Sequence, residues 1–291
     1  MFIFSSLFSY YRYQNLPGKR GQGAFVRALR GDYINWMSNL IGYFDIVGEL
    51  SRKAGEIVLR HYRTRMEVES KDDDSPVTRA DREVEEFLRE SIERLYPDHS
   101  ILGEEYGETV KSGSHRWILD PIDGTRSFVM GTPLFGTMIA LERDGMPVLG
   151  SIYFPVQDQW LIGSAETGTF LNGEPCRVSE VEDLSHATMI LTDPRTLLAS
   201  PAIAEVSRRV RQVRGFGDCY GYFLTACGLA DIMIEPGALK YYDVAPMPPI
   251  LEGAGGVFST LRGDLDFSTG QGLATNRSLQ RQILDVIAGI E

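Results

Sequence analysis

The sequence has few of the residues that build disulfide frameworks and zinc sites. Its 291 residues include only 3 cysteines and 4 histidines. The cysteines, at positions 176, 219 and 227, are odd in number and form no C-x-x-C pair. This pattern argues against a disulfide-stapled secreted domain and against a cysteine-based zinc site. We therefore expect a reducing compartment, the cytoplasm.

Long apolar runs and basic clusters are also missing. No apolar stretch is long enough to cross a bilayer, so we expect no membrane partner. The net charge is −11, from 40 acidic and 29 basic residues, and no Lys/Arg run offsets it locally. Nucleic acid is therefore not expected as a partner, because its backbone is also negative. A small molecule is the expected partner, and metal ions would allow an acidic protein to bind a phosphorylated one.

The N-terminal 34 residues differ from the rest of the chain. They hold a short apolar run followed by a Gly/Pro/basic stretch at residues 17–23, without the charged start and cleavage site of a signal peptide. We expect residues 1–34 to be a poorly ordered extension. From about Asn35, apolar residues recur at helical spacing as far as about Arg63, which predicts a long amphipathic helix.

The remaining pattern predicts two α+β subdomains, residues 35–185 and 186–291. In the first, the T-x-x-D sequence at residues 78–81 predicts a capped helix that ends before Pro97. Residues 136–175 hold β-rich runs with Asp-Gly and Asn-Gly turns, typical of an antiparallel meander. In the second, apolar strands alternate with helices. One such helix is expected around residues 201–213 and one strand at Asp-Ile-Met-Ile-Glu, residues 231–235.

The motif WILDPIDGT, residues 117–125, carries the clearest chemical signal. An apolar strand runs into Asp120 and Asp123, and Pro121 prevents a regular continuation of the strand. Gly124 and Thr125 would then open a helix, whose free N–H groups suit an anion. Two carboxylates beside an anion site repel it unless a cation bridges them, and oxygen-only ligands favour Mg²⁺.

A second pair of acids follows a similar apolar run in ILGEE, residues 101–105. Taken alone, Glu104 and Glu105 could equally lie on a solvated surface. None of the four histidines lies in a site-like motif, and we see no nucleophile–base pair. The sequence therefore offers no obvious candidate for covalent catalysis.

Four elements together resemble the inositol monophosphatase-like superfamily of Mg²⁺-dependent, lithium-sensitive phosphomonoesterases. They occur in the family's order and cover roughly residues 38–290: SPVTRADREVE (75–85), ILGEE (101–105), WILDPIDGT (117–125) and YDVAPMPPILEGAGG (242–256). The resemblance implies an α/β fold of the layered α/β/α/β/α sandwich type, two or three Mg²⁺ ions and a homodimer. It also implies a small phosphorylated substrate held between the subdomains.

By position in these motifs, the resemblance implies metal ligation by Glu104, Asp120, Asp123, Asp243 and the backbone carbonyl of Ile122. One Mg²⁺ would activate the attacking water and a second would stabilise the leaving oxygen.

Phosphate and water would be held by neighbouring residues. The resemblance implies that the N–H groups of Gly124 and Thr125 bind phosphate, and that Glu104 and Thr125 orient the water. Asp81 matches an acid that hydrogen-bonds the Thr hydroxyl in the family, so Asp81 and Thr125 are a candidate catalytic pair, although Asp81 could simply cap a helix. Lys71 resembles a family lysine near the site, or is a solvated loop charge.

Substrate choice should depend on the second half of the chain. Inositol phosphatases usually carry Trp before the last metal acid, whereas Tyr242 stands there here. Residues 215–222 and 239–256 resemble the branch that hydrolyses L-histidinol phosphate, with Asp218, Cys219 and Glu235 as candidate substrate contacts. Carboxylates suit a cationic amino-imidazolyl alcohol. Asp218 could instead bind polyol hydroxyls or local backbone, and the resemblance gives Glu235 a counterpart in inositol phosphatases that contacts a hydroxyl. Inositol 1-phosphate is the alternative substrate, and a catalytically silent binding protein is the alternative of another class.

Overall fold

The structure, a computed structural model, describes the backbone of residues 25–64, 68–70 and 76–290, and the side chains of residues 40–64 and 78–290. The expected poorly ordered extension at residues 1–34 is wrong for residues 25–34, which are helical, whereas residues 1–24 and Lys71 lie outside the described residues. By the contacts between residues, the chain divides into two compact units, one up to Asp45 and the other Ile46–Glu291. Every candidate site residue belongs to Ile46–Glu291, and each of them except Lys71 is described.

The described helices follow the predicted order, with two differences. The helix expected around residues 201–213 ends at Arg209, because Gln212–Arg214 form a strand of the smaller sheet, and the first helix starts earlier than predicted. Helix α1 begins at Phe25, ten residues before the predicted start near Asn35. The reason is that residues 24–34 contain no proline and no run of helix breakers, so the helix can extend toward the N-terminus. The α-helices are α1 Phe25–His61, α2 Arg79–Leu95, α3 Thr125–Met130, α4 Thr196–Ala199, α5 Pro201–Arg209, α6 Asp218–Ala226, α7 Tyr241–Val244, α8 Met247–Gly253 and α9 Arg277–Ala288. No described helix combines the length and apolar character needed to span a bilayer.

The described strands form a small hairpin and two large sheets. The hairpin pairs β1 Val68–Ser70 with β2 Pro76–Thr78. The larger sheet has the order β10-β9-β8-β7-β6-β5-β3-β4 and the smaller one the order β12-β11-β13-β15-β14. Strands of the larger sheet are β3 Ser100–Gly103, β4 Gly107–Thr109, β5 His115–Asp123, β6 Gly136–Arg143, β7 Met146–Phe154, β8 Gln159–Ser164, β9 Gly168–Leu171 and β10 Glu174–Pro175. Strands of the smaller sheet are β11 Thr188–Ile190, β12 Gln212–Arg214, β13 Ile232–Glu235, β14 Val257–Ser259 and β15 Gly272–Thr275.

The predicted meander is confirmed as β6 to β10, which pair antiparallel in sequence order. The predicted turns join β6 to β7 and β9 to β10. Both turn residues have positive φ in each case, 54° and 80° at Asp144 and Gly145 and 51° and 87° at Asn172 and Gly173. Asp, Asn and Gly are the residues that adopt this left-handed backbone most readily, so these short turns form where the sequence predicts them.

Five layers stack in Ile46–Glu291. The end of α1 lies against one face of the larger sheet, where Gly48 and Gly55 admit the rings of Trp160 and Tyr153. On the other face, one core joins β6, β7 and β8 through α6 and α8 to the smaller sheet. A further core packs the outer face of the smaller sheet against α5 and α9. The predicted α/β sandwich with two sheets is confirmed, while the division into subdomains near residue 185 stays a prediction.

The geometry of β3 and β5 determines where the site lies. These two strands are parallel neighbours, with Gly103 opposite Leu119. Because parallel strands end at the same edge of a sheet, the acids after Gly103 and at the end of β5 lie side by side. The strand extends through Pro121 to Asp123, with a register shift against β6 between Asp120 and Asp123. The shift leaves Pro121 and Ile122 outside the regular ladder and places Asp120 and Asp123 on either side of the irregularity.

Candidate active site

Three carboxylates from distant parts of the chain meet at this edge. Asp120 and Asp123 lie at the end of β5 and Asp243 lies in α7, and one oxygen of each falls within 4.8 Å of the others. We call this set the acid cluster. Asp120 is 2% exposed, and its Oδ1 has no hydrogen-bond partner among the described residues. A buried, unpartnered carboxylate oxygen is costly, so this atom calls for a cation.

Glu104 lies next to the acid cluster at the end of β3. Its backbone N–H donates to the carbonyl of Leu119 at 3.2 Å, which fixes it beside Asp120. Burial, and then the charges of Glu104 and the other cluster acids, raise the pKa of Asp120 well above its usual value.

The pKa values of the other two acids of the cluster, Asp123 and Asp243, are also raised. Burial and the charge of Asp243 raise the pKa of Asp123 to about 7. Burial raises the pKa of Asp243 to about 7 as well, against the lowering effect of the Lys240 N–H, which donates to it at 2.7 Å. Carboxylates packed this closely cannot all stay ionised without a compensating cation. The oxygen-only donor set fits a hard divalent ion.

Gly124 and Thr125 stand where the sequence predicts, at the start of α3. Gly124 caps the helix with φ of 80°, and an added Cβ there would come close to the carbonyl of Leu134. Both reasons require glycine. The Thr125 hydroxyl donates to the carbonyl of Ile122 at 2.8 Å. Phosphate binding by these residues stays a prediction.

The structure does not form the expected Asp81–Thr125 hydrogen bond. Asp81 instead accepts from the N–H and the hydroxyl of Thr78, at 2.8 and 2.6 Å, in a capping box at the start of α2. Burial raises the pKa of Asp81 to about 7, with a further contribution from the charges of Glu105 and Glu104. Asp81 therefore lies near Glu104 but acts in this structure as a helix cap, the alternative that the sequence left open.

A second wall of the site comes from the smaller sheet and consists of Thr192, Asp218 and Glu235. The N–H of Asp218 donates to the Thr192 hydroxyl at 2.8 Å, and the Thr192 N–H donates to Glu235 at 3.2 Å. Burial is the main reason that the pKa values of Asp218 and Glu235 both rise to about 7. The second wall and two members of the acid cluster, Asp123 and Asp243, line a cavity of about 210 Å³.

Cys219 joins the acid cluster to the second wall through its backbone. Its N–H donates to Asp123 Oδ2 at 2.5 Å, while its side chain is 1% exposed. Cys219 also lines the cavity, and its contact with substrate stays a prediction.

Sequence reasoning missed Thr192 and Tyr222. Thr192 follows β11 at a strand end, a position where sites are often built, so this signal was present in the sequence. Tyr222 lines the cavity from α6, and its hydroxyl is buried without a hydrogen-bond partner among the described residues. Its spacing in the sequence is only that of a core aromatic, so nothing local could have indicated it.

A buried network behind the acid cluster was also missed. The Tyr241 phenol donates to Glu142, which is 2% exposed, and Arg116 Nε contacts the same carboxylate at 2.5 Å. The guanidinium of Arg116 also lies over the Tyr241 ring, 5.6 Å from its centroid. This network anchors α7, which carries Asp243, to β5 and β6.

Comparisons with known proteins agree with this fold. Residues 43–290 match the model of the inositol monophosphatase family. A histidinol-phosphatase of Chlorobaculum parvum is 39% identical over 84% of this chain and 95% of its own length. An inositol monophosphatase of Mesembryanthemum crystallinum is 30% identical over 84% of this chain and 94% of its own. The crystal structure of extragenic suppressor protein suhB from Bartonella henselae superposes with a TM-score of 0.80 at 27% identity, covering 84% and 98% of the two chains.

The chain belongs to the inositol monophosphatase family. It is accordingly a phosphatase, a hydrolase of phosphoric monoesters that acts on small phosphorylated substrates. The family is metal-dependent, and the acid cluster is the group that could bind metal here. The alternative of a catalytically silent binding protein is therefore not supported.

Proposed function

We propose that the protein hydrolyses L-histidinol phosphate to L-histidinol and phosphate with Mg²⁺. The observation that carries this choice of substrate is the charge of the second wall. Asp218 and Glu235 face the cavity, and no Lys or Arg is among the described residues that line it. An alcohol that carries an ammonium and an imidazole gains more from two carboxylates than a neutral polyol does. The 39% identity to a histidinol-phosphatase supports the same substrate.

The residues present fit Mg²⁺. The unpartnered Oδ1 of Asp120 and the oxygen-only donor set suit a hard divalent cation. Asp120, Asp123 and Asp243 would hold it together with Glu104 and the carbonyl of Ile122. When bound, Mg²⁺ supplies an activated water and charge stabilisation for the leaving oxygen.

The chain itself positions the reactants. Gly124 and Thr125 would orient the phosphate through their N–H groups, and the Thr125 hydroxyl and Glu104 would orient the attacking water. Asp218 and Glu235 would bind the cationic part of the alcohol. We further propose two or three metal ions, lithium sensitivity, a cytoplasmic homodimer, and a contact from Cys219 to the alcohol.

The decisive experiment compares kcat/KM for L-histidinol phosphate and inositol 1-phosphate. Purified protein, stripped with EDTA and reloaded with Mg²⁺, should release phosphate from histidinol phosphate at least tenfold more efficiently. Activity should be absent before reloading. A preference for inositol 1-phosphate would overturn the choice of substrate but not the phosphatase class. The inositol ester stays the second candidate, because the Mesembryanthemum relative carries the name inositol monophosphatase.

A further inference from the structure

We propose that Glu85, in the middle of α2, is a positioning residue that holds Glu104 in place for the metal. The inference rests on the proposed function, because Glu104 is there a metal ligand. Glu85 is 0% exposed, yet it belongs to no apolar core and does not line the cavity. Its carboxylate accepts the backbone N–H of Glu105 at 2.7 Å and that of Tyr106 at 3.1 Å. These two donors immediately follow Glu104 in the chain.

The close approach of Glu85 to β3 depends on Gly103. A Cβ added at Gly103 would overlap with the Glu85 carboxylate. Gly103 does not have a positive φ, so its backbone conformation does not require glycine. Glycine is required here only because a side chain would not fit. The glycine before Glu104 is therefore explained by the carboxylate behind it.

Arg89 completes this attachment from the next turn of α2. Its Nε donates to Glu85 at 2.7 Å, its Nη1 donates to the Thr109 hydroxyl at 3.2 Å, and its Nη2 donates to the carbonyl of Gly107. The pair thus binds both sides of the turn between β3 and β4. Arg89 also compensates the buried charge of Glu85, so the carboxylate can stay where it accepts two N–H groups.

Glu104 needs such support because its neighbours repel it. Its backbone N–H is bonded to the carbonyl of Leu119, the residue before the buried Asp120, so Glu104 lies directly beside another carboxylate. Without a metal ion, repulsion favours movement of the Glu104 segment away from the acid cluster. The hydrogen bonds from Glu105 and Tyr106 to Glu85 oppose that movement. Glu85 therefore preorganises the ligand set, as residues behind a metal ligand commonly do.

The test measures metal binding directly. Mn²⁺ is titrated into metal-free protein and free Mn²⁺ is followed by electron paramagnetic resonance. In Glu85→Gln the amide NH₂ cannot accept, so one backbone N–H loses its partner, and we expect Mn²⁺ affinity to fall about tenfold. The Mg²⁺ concentration for half-maximal activity should rise similarly, while kcat at saturating Mg²⁺ stays within about twofold.

Asp231→Asn is the matched control. Asp231 is also a buried carboxylate, 8% exposed, that accepts a backbone N–H, from Thr188 at 2.6 Å, but it directly precedes β13 and does not line the cavity. This variant should lower the melting temperature and leave Mn²⁺ affinity unchanged. Equal Mn²⁺ affinity in wild type, Glu85→Gln and Asp231→Asn would show that Glu85 is merely structural and overturn the inference.

Two further results distinguish failure of the role assigned to Glu85 from failure of the proposed function and from a folding defect. If wild-type protein binds no Mn²⁺, the proposed function itself fails. If Glu85→Gln does not fold, Arg89→Lys takes its place under the same criterion, because lysine keeps the charge but cannot span Glu85, Gly107 and Thr109 together. Unchanged Mn²⁺ affinity in a folded Arg89→Lys would likewise overturn the inference.

Discussion

The acid cluster and the second wall face the same cavity but are built differently. Asp120 and Asp123 of the acid cluster come from one strand end, within four residues of each other. The second wall takes Thr192, Asp218 and Glu235 from three separate segments around the smaller sheet. The cluster needs a fixed spacing of oxygens for a metal, which a strand end provides. The second wall has to match only the shape and charge of an alcohol, which loops can vary.

This difference predicts two kinds of mutational effect. Changes in the acid cluster should remove catalysis for every substrate, whereas changes in the second wall should alter the choice of substrate at constant metal affinity. The variants below test that separation, beginning with the largest expected effect.

Asp120→Asn should cause the largest loss. The variant keeps the shape of the side chain but removes a charge from the centre of the proposed metal site. We expect kcat/KM to fall by about 10³-fold or more for both histidinol phosphate and inositol 1-phosphate. Asp144→Asn, in the exposed β6–β7 turn, is the control and should behave as wild type. A loss of less than tenfold would argue against Asp120 as a shared ligand.

Glu235→Gln should separate the two substrates. Its carboxylate is 7% exposed in the second wall, so it can meet a cationic group in a poorly hydrated place. We expect kcat/KM for histidinol phosphate to fall about ten- to hundredfold, with a smaller change for inositol 1-phosphate. Mn²⁺ affinity should stay as in wild type. Equal losses for both esters would contradict the division of labour between the two parts of the site.

Tyr241→Phe should affect stability through the network behind the acid cluster. The change removes the hydroxyl that donates to Glu142, leaving that buried carboxylate with Arg116 alone. The expected cost is about 1–3 kcal/mol of unfolding free energy, measured by urea denaturation. Tyr106→Phe, at a side chain that is 53% exposed, should change stability little. A neutral result for Tyr241→Phe would mean that α7 is anchored by packing instead.

His99 should give the smallest effect, visible only in the pH dependence of stability. Its Nδ1 accepts from Trp117 Nε1 at 3.0 Å, and burial followed by the nearby His115 lowers its pKa to about 4. The unfolded histidine, with a pKa near 6.5, binds its proton first as the pH falls. Stability from this residue is therefore complete above about pH 6.5 and is lost as the pH drops toward 4. Because the ring is partly exposed, solvent screening should limit the loss to about 1–2 kcal/mol.

His99→Gln keeps an acceptor for Trp117 but does not titrate. The difference in unfolding free energy between wild type and this variant should shrink or reverse between pH 7 and pH 4.5. Because both proteins share every other titrating group, a difference that does not change with pH would contradict the role assigned to His99. At pH 7, His99→Gln should affect neither the acid cluster nor the second wall.

The sequence was most informative where a function occupies consecutive residues. The motif from Trp117 to Thr125 contains a strand, two ligands and a helix start, so spacing alone indicates its chemistry. Asp243, by contrast, could be placed beside Asp120 only through the family resemblance. No local pattern states that residues more than a hundred positions apart will meet.

Other features depend on tertiary contacts that leave little trace in the sequence. The T-x-x-D pattern correctly predicted that Asp81 caps α2, but the expected bond to Thr125 does not form, because Thr78 supplies both donors to Asp81. Glu85 is the last residue of the family motif SPVTRADREVE (75–85), and the sequence indicates only that it belongs to a helix. Only the three-dimensional structure shows that both its oxygens are engaged by the turn after Glu104.

The bond from position 219 to Asp123 has a consequence for how this enzyme can change. Its donor is a main-chain amide, so the contact survives replacement of the cysteine by any residue that keeps an N–H and fits the space. Proline alone is ruled out on chemical grounds. Position 219 can therefore vary among residues that fit this buried place without releasing Asp123.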